Sequence, residues 1–262
     1  MQIFDSHIHL QDQRIYPQIN NLLLKAKAKG IMRFLCCGTS EKDWKKVSFL
    51  AKKYNELIPS YGLHPWFIEQ RTDNWFATLC KYIDENNSLV CIGEIGLDHG
   101  LIKRDDALQE EVFIKQLLHA KENKLPVSIH CRRAWDRVIY FLQKYGPFEK
   151  GLLIHSYSGS EELIEKLVSL NVYFSFSGTL TFSGNKRAHK AIVKVPSDRL
   201  FLETDAPDML PVIKGVYNKD VSNIPENIIY VYEKAAMLLG ITVSELARIT
   251  WENSERLFTH VR

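Results

Sequence analysis

The chain carries 262 residues, with 34 Lys and Arg against 31 Asp and Glu and a formal net charge of +3, too even a balance to argue for nucleic acid by itself. Its length and ordinary apolar content suit one large folded unit, expected over residues 1–262, and α/β barrels commonly run to this size. The longest apolar runs, such as Ile31 to Cys37, are strand-sized and too short to span a bilayer, so no membrane partner is expected.

Strand-like apolar runs alternate with amphipathic helical stretches from end to end. Ile3–His7 reads as a first strand, followed by a helix from Pro17 that is apolar at Ile19, Leu22, Leu23 and Ala26 and closed by Gly30. Ile31–Cys37 leads to Ser40 and Asp43, which together resemble a capping box opening the next helix. Leu57–Tyr61 runs into Gly62-Leu63-His64-Pro65, with a helix over Asp73–Asn86. Leu89–Ile92 runs into Gly93-Glu94-Ile95-Gly96-Leu97-Asp98, read as a glycine-flanked turn, with a helix over Ala107–Asn123. Pro126–Ile129 reaches His130 before a helix over Ala134–Tyr145; Leu152–Ile154 reaches His155 before one over Glu161–Leu170. Val172–Phe176 precedes a basic helix near Asn185–Val193, Leu200–Leu202 reaches Glu203-Thr204-Asp205, and the tail is helical from Pro225. Eight such units call for a parallel sheet, and the expected fold is a closed (β/α)₈ barrel. An open doubly wound sheet is the alternative, but a Gly-rich phosphate loop after the first strand is missing.

On that scheme the metal-type residues collect at one rim. His7 and His9, two apart along a strand, point the same way, with Asp5 behind them. Glu94, His130, His155 and Asp205 sit at the ends of the fourth, fifth, sixth and eighth strands, at the mouth where barrel enzymes build their sites. Carboxylates beside apolar strands are costly to bury unless paired or coordinated. The set exceeds what one tetrahedral ion needs and so admits two divalent ions. His7, His9 and Asp205 would hold one, His130 and His155 the other, with Glu94 bridging. Asp205 is the candidate general base, with Glu94 the second catalytic carboxylate. Glu203 is either a partner to a histidine ligand or half of an ion pair inside the barrel. Imidazole-rich ligation suits zinc, manganese, iron or nickel, while the carboxylates and a phosphate substrate admit magnesium.

Asp5-Ser6-His7-Ile8-His9, Gly93-Glu94-Ile95-Gly96-Leu97-Asp98, Ile129-His130-Cys131-Arg132, His155-Ser156-Tyr157-Ser158-Gly159 and Glu203-Thr204-Asp205-Ala206-Pro207 together resemble the signature set of the TatD-type metal-dependent hydrolases, in the amidohydrolase-like superfamily. The match continues through Gly62-Leu63-His64-Pro65, Asn223-Ile224-Pro225 and Asn253. The resemblance implies a metal-dependent deoxyribonuclease on an amidohydrolase-type barrel, associated with exonuclease trimming of DNA and with repair. Carried over by motif, the metal ligands are His7, His9, Glu94, His130, His155 and Asp205. Three places depart from the family pattern: Trp66 stands where a second histidine is common, His99-Gly100 where aromatics are usual, and Asp208-Met209-Leu210 replaces the commoner loop after Ala-Pro.

Substrate contacts are expected from His64, reaching a phosphate from the rim, from Arg132 through its bidentate fork, and from Trp66, whose ring can stack on a single-stranded base. His119 and His189 read as surface residues on helices, and His260 belongs to the tail. Five cysteines without a C-x-x-C pair, and an N-terminus bearing Asp5 and His7 instead of a leader, fit reduced thiols in the cytoplasm. The expected reaction is hydrolysis of DNA phosphodiester bonds, at single strands or ends, by a metal-activated water and without a covalent intermediate. The rival is the same centre acting on a carboxylic ester or amide, such as an aminoacyl-tRNA deacylase or small-molecule amidohydrolase, because fold and metals do not choose the bond. A metal-stabilised binding protein without turnover is the non-enzymatic alternative. Oligomeric state is not legible in the sequence.

Overall fold

The apolar runs become eight parallel strands: β1 (Ile3–Ile8), β2 (Ile31–Cys37), β3 (Leu57–Tyr61), β4 (Cys91–Asp98), β5 (Val127–Arg132), β6 (Leu152–Ile154), β7 (Val172–Phe176) and β8 (Leu200–Leu202). This computed structural model describes residues 1–86 and 89–258, so His260 lies outside the described residues. The strands pair in chain order. Connecting them are helices α1 (Ile19–Ala28), α2 (Glu41–Lys53), α3 (Trp75–Asp84), α4 (Asp106–Glu122), α5 (Trp135–Tyr145), α6 (Ile164–Ser169) and α7 (Lys186–Lys194), with α8 (Ile228–Leu239) and α9 (Val243–Leu257) after β8. Ser40 and Asp43 do form a capping box at the start of α2, satisfying otherwise orphaned amides. Among the described residues no helix is long and apolar enough to cross a membrane.

The first and last strands meet at the mouth. Ser6 Oγ donates to Leu202 O at 3.1 Å, and the Asp205 and His9 amides donate to His7 O at 2.9 Å and Ala206 O at 2.8 Å. These bonds bring the ends of β1 and β8 together and draw the barrel nearly closed, so that His7, His9 and Asp205 become neighbours although about 200 residues apart in the chain. A parallel sheet wrapped in helices must bury its strands on both faces, and β1, β3, β4 and β7 are buried along their whole length. A small apolar cluster of Phe4, Leu35, Cys37, Ile58, Cys91, Leu153, Tyr173 and Phe201, with Leu257 and Phe258, precedes the site residues on their strands and floors the barrel. Each buried aromatic there contributes about 1.5–3 kcal/mol.

β4 and, beside it, β5 run further than the apolar pattern indicates. The segment read as a turn around Glu94 is strand: β4 continues through Asp98 because Gly96, Leu97 and Asp98 pair with His130, Cys131 and Arg132 of β5. Glycine makes this possible. At Gly96, with φ of +150°, a Cβ would sit 1.9 Å from the His130 carbonyl, so only glycine lets β4 lie this close to β5. Glu94 is thereby carried on a buried strand instead of a loop.

Candidate metal centre

All of the ligand-type residues expected from the sequence converge on Glu94. Its Oε2 faces His7 Nε2 at 3.3 Å and His9 Nε2 at 3.6 Å, and its Oε1 faces His130 Nδ1 at 3.0 Å and His155 Nε2 at 2.9 Å. Asp205 Oδ1 lies 3.3 Å from His9 Nε2 and 3.9 Å from His7 Nε2, on the Oε2 side. Donor atoms of His7, His9 and Glu94, and of His64, Glu94 and His130, lie near enough to one another to hold an ion. Glu94 thus has one oxygen turned to each of two histidine groups.

The outer hydrogen bonds decide which nitrogen each ring presents. His9 Nδ1 lies 2.8 Å from the Cys37 carbonyl, which can only accept, so Nδ1 carries a proton in either charge state and the neutral ring has its lone pair at Nε2. His7 Nδ1 lies 3.2 Å from Ser128 Oγ. His155 Nδ1 faces Glu203 Oε1 at 3.4 Å. His130 is turned the other way, with Nε2 on Asp98 Oδ2 at 3.2 Å and Nδ1 toward Glu94. Asp98 was not among the residues singled out from the sequence, nor was Ser128.

His64, expected at the rim, is buried, with Nε2 3.1 Å from Glu94 Oε1. It caps the short helical turn Pro65–Gln70, and its Nδ1 accepts the Trp66 backbone N–H at 3.1 Å. A neutral ring accepting at Nδ1 carries its proton at Nε2, so His64 is a hydrogen-bond donor toward the site while that cap persists. Burial holds its pKa down to about 4 despite Glu94, which keeps the ring neutral. Trp66 is half exposed, its indole Nε1 donating to Asp98 Oδ2 at 2.6 Å, and Arg132 is exposed with its guanidinium 3.7 Å from the same oxygen.

Charge is concentrated where water is scarce. Burial opposes ionisation of Glu94, but His64, His155 and His7 around it and the hydrogen bond from His130 hold it well below the usual carboxylate range. Burial likewise opposes charge on His9, yet its hydrogen bond to Asp205 and the charges of Asp205 and Glu94 lift it to about 9. His130 and His155 are raised for the same reason, while burial with a neighbouring His155 lowers His7. Among the described residues, His7 Nε2, His155 Nδ1 and both Glu203 oxygens lack a hydrogen-bond partner although buried. Such atoms are costly without a partner, and a cation among these imidazoles and carboxylates would answer the His7 nitrogen directly. The donor set fits divalent metal.

The family model for TatD-related DNase matches residues 4–259. The chain belongs to the TatD-related DNase family. With it come the fold and the class, a metal-dependent hydrolase. The uncharacterized metal-dependent hydrolase YabD of Bacillus subtilis is 32% identical over 257 residues, covering 98% of each chain. The 3'-5' ssDNA/RNA exonuclease TatD of Erwinia tasmaniensis is 28% identical over 258 residues, covering 98% of this chain and 99% of its own. The crystal structure of YjjV, a TatD homologue from Escherichia coli K12, superposes with a TM-score of 0.91 at 28% identity, over 98% of this chain and 97% of that one.

At the TatD-family mouth, the departures from the family pattern have structural partners. Arg14 bridges Asp12 at 2.9 Å and Asp208 at 2.8 Å, tying the loop after β1 to the loop after β8. His99 Nε2 stands 3.9 Å from Asp106 Oδ1 on α4. Asp5 turns to Thr204, accepting its amide at 2.9 Å and its hydroxyl at 2.6 Å, and so pins β1 to the segment carrying Asp205.

Burial pushes the Asp5 carboxyl up to about 8 in spite of those bonds. The folded chain then keeps a proton that the unfolded chain releases near pH 4, so this contribution to stability is full below that pH and is lost as pH rises toward 8. In chelator-stripped protein, Asp5→Asn should remove that loss. Denaturant titrations across this window should show wild type falling relative to the variant by about 1.4 kcal/mol per pH unit. Parallel curves would place the Asp5 proton elsewhere.

Proposed function

We propose that this hydrolase, acting as one domain over residues 1–262, cleaves phosphodiester bonds of single-stranded DNA or DNA ends as an exonuclease, using two divalent ions. The observation that carries this reading is the split environment of Glu94: Oε2 toward His7 and His9, Oε1 toward His130 and His155, at 2.9–3.6 Å. His7, His9 and Asp205 would hold one ion, His130 and His155 the other, and Glu94 would bridge. Zinc, manganese, iron, nickel or magnesium each suit part of the donor set. The Erwinia tasmaniensis relative, named an exonuclease of single-stranded DNA and RNA, supports a nucleic-acid strand as substrate. Trimming of DNA ends serves repair, and the five free thiols suit a reducing cytoplasm.

Bound divalent ions supply Lewis-acid charge to the scissile phosphate and raise the acidity of water. The rest belongs to the chain. Asp205, ionised at neutral pH because its hydrogen bond to His9 and the other histidines outweigh the effect of burial, takes the proton of the attacking water at Oδ2, the oxygen not turned to His9. As the water oxygen bonds to phosphorus, the bond to the departing sugar oxygen breaks, and that oxygen takes up the proton held on Asp205, which restores the carboxylate and releases a sugar hydroxyl. His64 offers its Nε2–H beside Glu94 Oε1, 3.1 Å away, placed to reach a phosphate oxygen. Arg132 provides an exposed guanidinium for a flanking phosphate, and the Trp66 ring provides a face for a base.

Chelator-stripped protein given magnesium, manganese or zinc should shorten an end-labelled single-stranded oligodeoxynucleotide to a ladder, and only with metal. The His130→Ala/Asp205→Asn double variant should leave it intact. If the oligonucleotide survives every metal while a carboxylic ester or amide is hydrolysed, the substrate belongs to the ester and amide class, with aminoacyl-tRNA among its members.

A further inference from the structure

We infer that Trp66 and Asp98 form a positioning arm that holds His130 as an Nδ1 donor toward the centre. His7, His9 and His155 turn Nε2 toward Glu94, whereas His130 turns Nδ1. What reverses it is Asp98. This carboxylate is fully buried at the end of β4 and accepts His130 Nε2–H at 3.2 Å on Oδ2. The same oxygen accepts the Trp66 indole N–H at 2.6 Å, and Oδ1 accepts the Gly100 amide at 2.7 Å. Gln109 on α4 grips the backbone from behind, its Oε1 taking the Asp98 amide at 2.8 Å and its Nε2 reaching the Asp98 carbonyl at 3.3 Å. A Cβ at Gly100 would sit 2.8 Å from the Arg132 guanidinium and 2.9 Å from Asp98 Oδ1, so a larger residue there would push the guanidinium aside and crowd the carboxylate.

The arm therefore has an order. Gln109 and Gly100 fix the carboxylate, Trp66 saturates its outward lobe, and the remaining lone pair is directed at His130 Nε2. With a proton held at Nε2, the neutral ring has its lone pair at Nδ1, aimed at Glu94 and 3.2 Å from His155 Nε2. Trp66 reaches Asp98 from the loop after β3 while its ring stands edge-on to His64 and His130, with centroids 5.0 and 6.2 Å apart. Its polar edge serves the carboxylate and its face remains open at the mouth. A histidine at this position would have a shorter reach and a titrating N–H; the indole gives a permanent donor. Asp98 also keeps Arg132 near the site, 3.7 Å from Oδ2, so losing the Trp66 bond leaves this oxygen free to turn from His130 to the guanidinium.

The inference rests on His130 being a metal ligand, and the test separates the two. Chelator-stripped full-length chain is titrated with cobalt(II), reading affinity and the visible absorption of the bound ion. Asp98→Asn should weaken binding by about 10–100-fold, the range for partners of histidine ligands, and shift the absorption bands. Asp98→Glu should restore part of the affinity. Trp66→Phe, which keeps a ring and loses the N–H, should weaken binding in the same direction and shift the same bands. If His130→Ala weakens binding while Asp98→Asn and Trp66→Phe, folded by circular dichroism, leave affinity and spectrum unchanged, the arm is overturned and the ligand stands. If His130→Ala itself leaves cobalt binding unchanged, both fall.

Discussion

Glu94→Gln should retain the barrel and lose the reaction. The substitution keeps the size of the side chain and removes the charge that His7, His9, His130 and His155 share at 2.9–3.6 Å. An amide presents only one acceptor oxygen, so it can serve one of the two histidine groups but not bridge both. If Glu94 bridges two ions as proposed, losing the bridge would forfeit several kcal/mol of charge stabilisation in the transition state, and about 4 kcal/mol corresponds to roughly a thousandfold in kcat/KM. The stripped protein should suffer as well, because raised histidines lose their buried counter-charge; breaking such a pair costs about 3 kcal/mol. Metal content by elemental analysis, turnover on the end-labelled oligonucleotide and a denaturation midpoint measured together decide it. Full metal content with full turnover would remove Glu94 from the centre.

The strands, and with them the rim, are legible because periodicity and strand-end histidines are local signals. Ile31–Cys37, Leu57–Tyr61, Leu152–Ile154, Val172–Phe176 and Leu200–Leu202 begin and end where the apolar runs do. Glu94 was harder to place, since glycines on either side look like a turn until β5 is laid beside them. Spacing alone does not say that Gly96 faces the His130 backbone; that is a property of two strands, not of one. His64 is expected to reach a phosphate from the rim, yet the helical turn it caps folds its ring inward beside Glu94. Asp98 as a partner for His130 is not marked by any single motif, although Glu94, Gly96 and Asp98 share a strand face by the period of two. A carboxylate in phase with a ligand on a buried strand is a signal that could have found it. Ser128, two residues before His130 and bonded to His7, carries the same signal. By contrast, the joining of Trp66 to Asp98 across 32 residues has no sequence signature at all.

Metal uptake by the stripped chain should release protons and weaken steeply as pH falls. Without metal, His9 titrates at about 9, and His130 and His155 are also raised, because Glu94 with Asp205, Asp98 and Glu203 favours their charged forms more than burial opposes them. His7 and His64 are lowered and stay neutral. The proposed ligand atom His9 Nε2 thus holds a proton at neutral pH that an ion must displace, and the raised His130 and His155 keep theirs, at Nδ1 and Nε2, to higher pH than a free imidazole does. The protons belong to the metal-free state alone, so lowering the pH favours that state, by about tenfold in binding constant per displaced proton and pH unit. The two proposed groups differ: His7, His9 and Asp205 include one raised imidazole, so an ion there would displace about one proton, whereas His130 and His155 are both raised, so an ion there would displace up to about two. Zinc titrations at pH 6 to 8, in buffers of different ionisation enthalpy, should therefore resolve one shallow and one steep pH dependence. Uptake that releases no protons and keeps its affinity across that range would mean that these three nitrogens do not hold the metal.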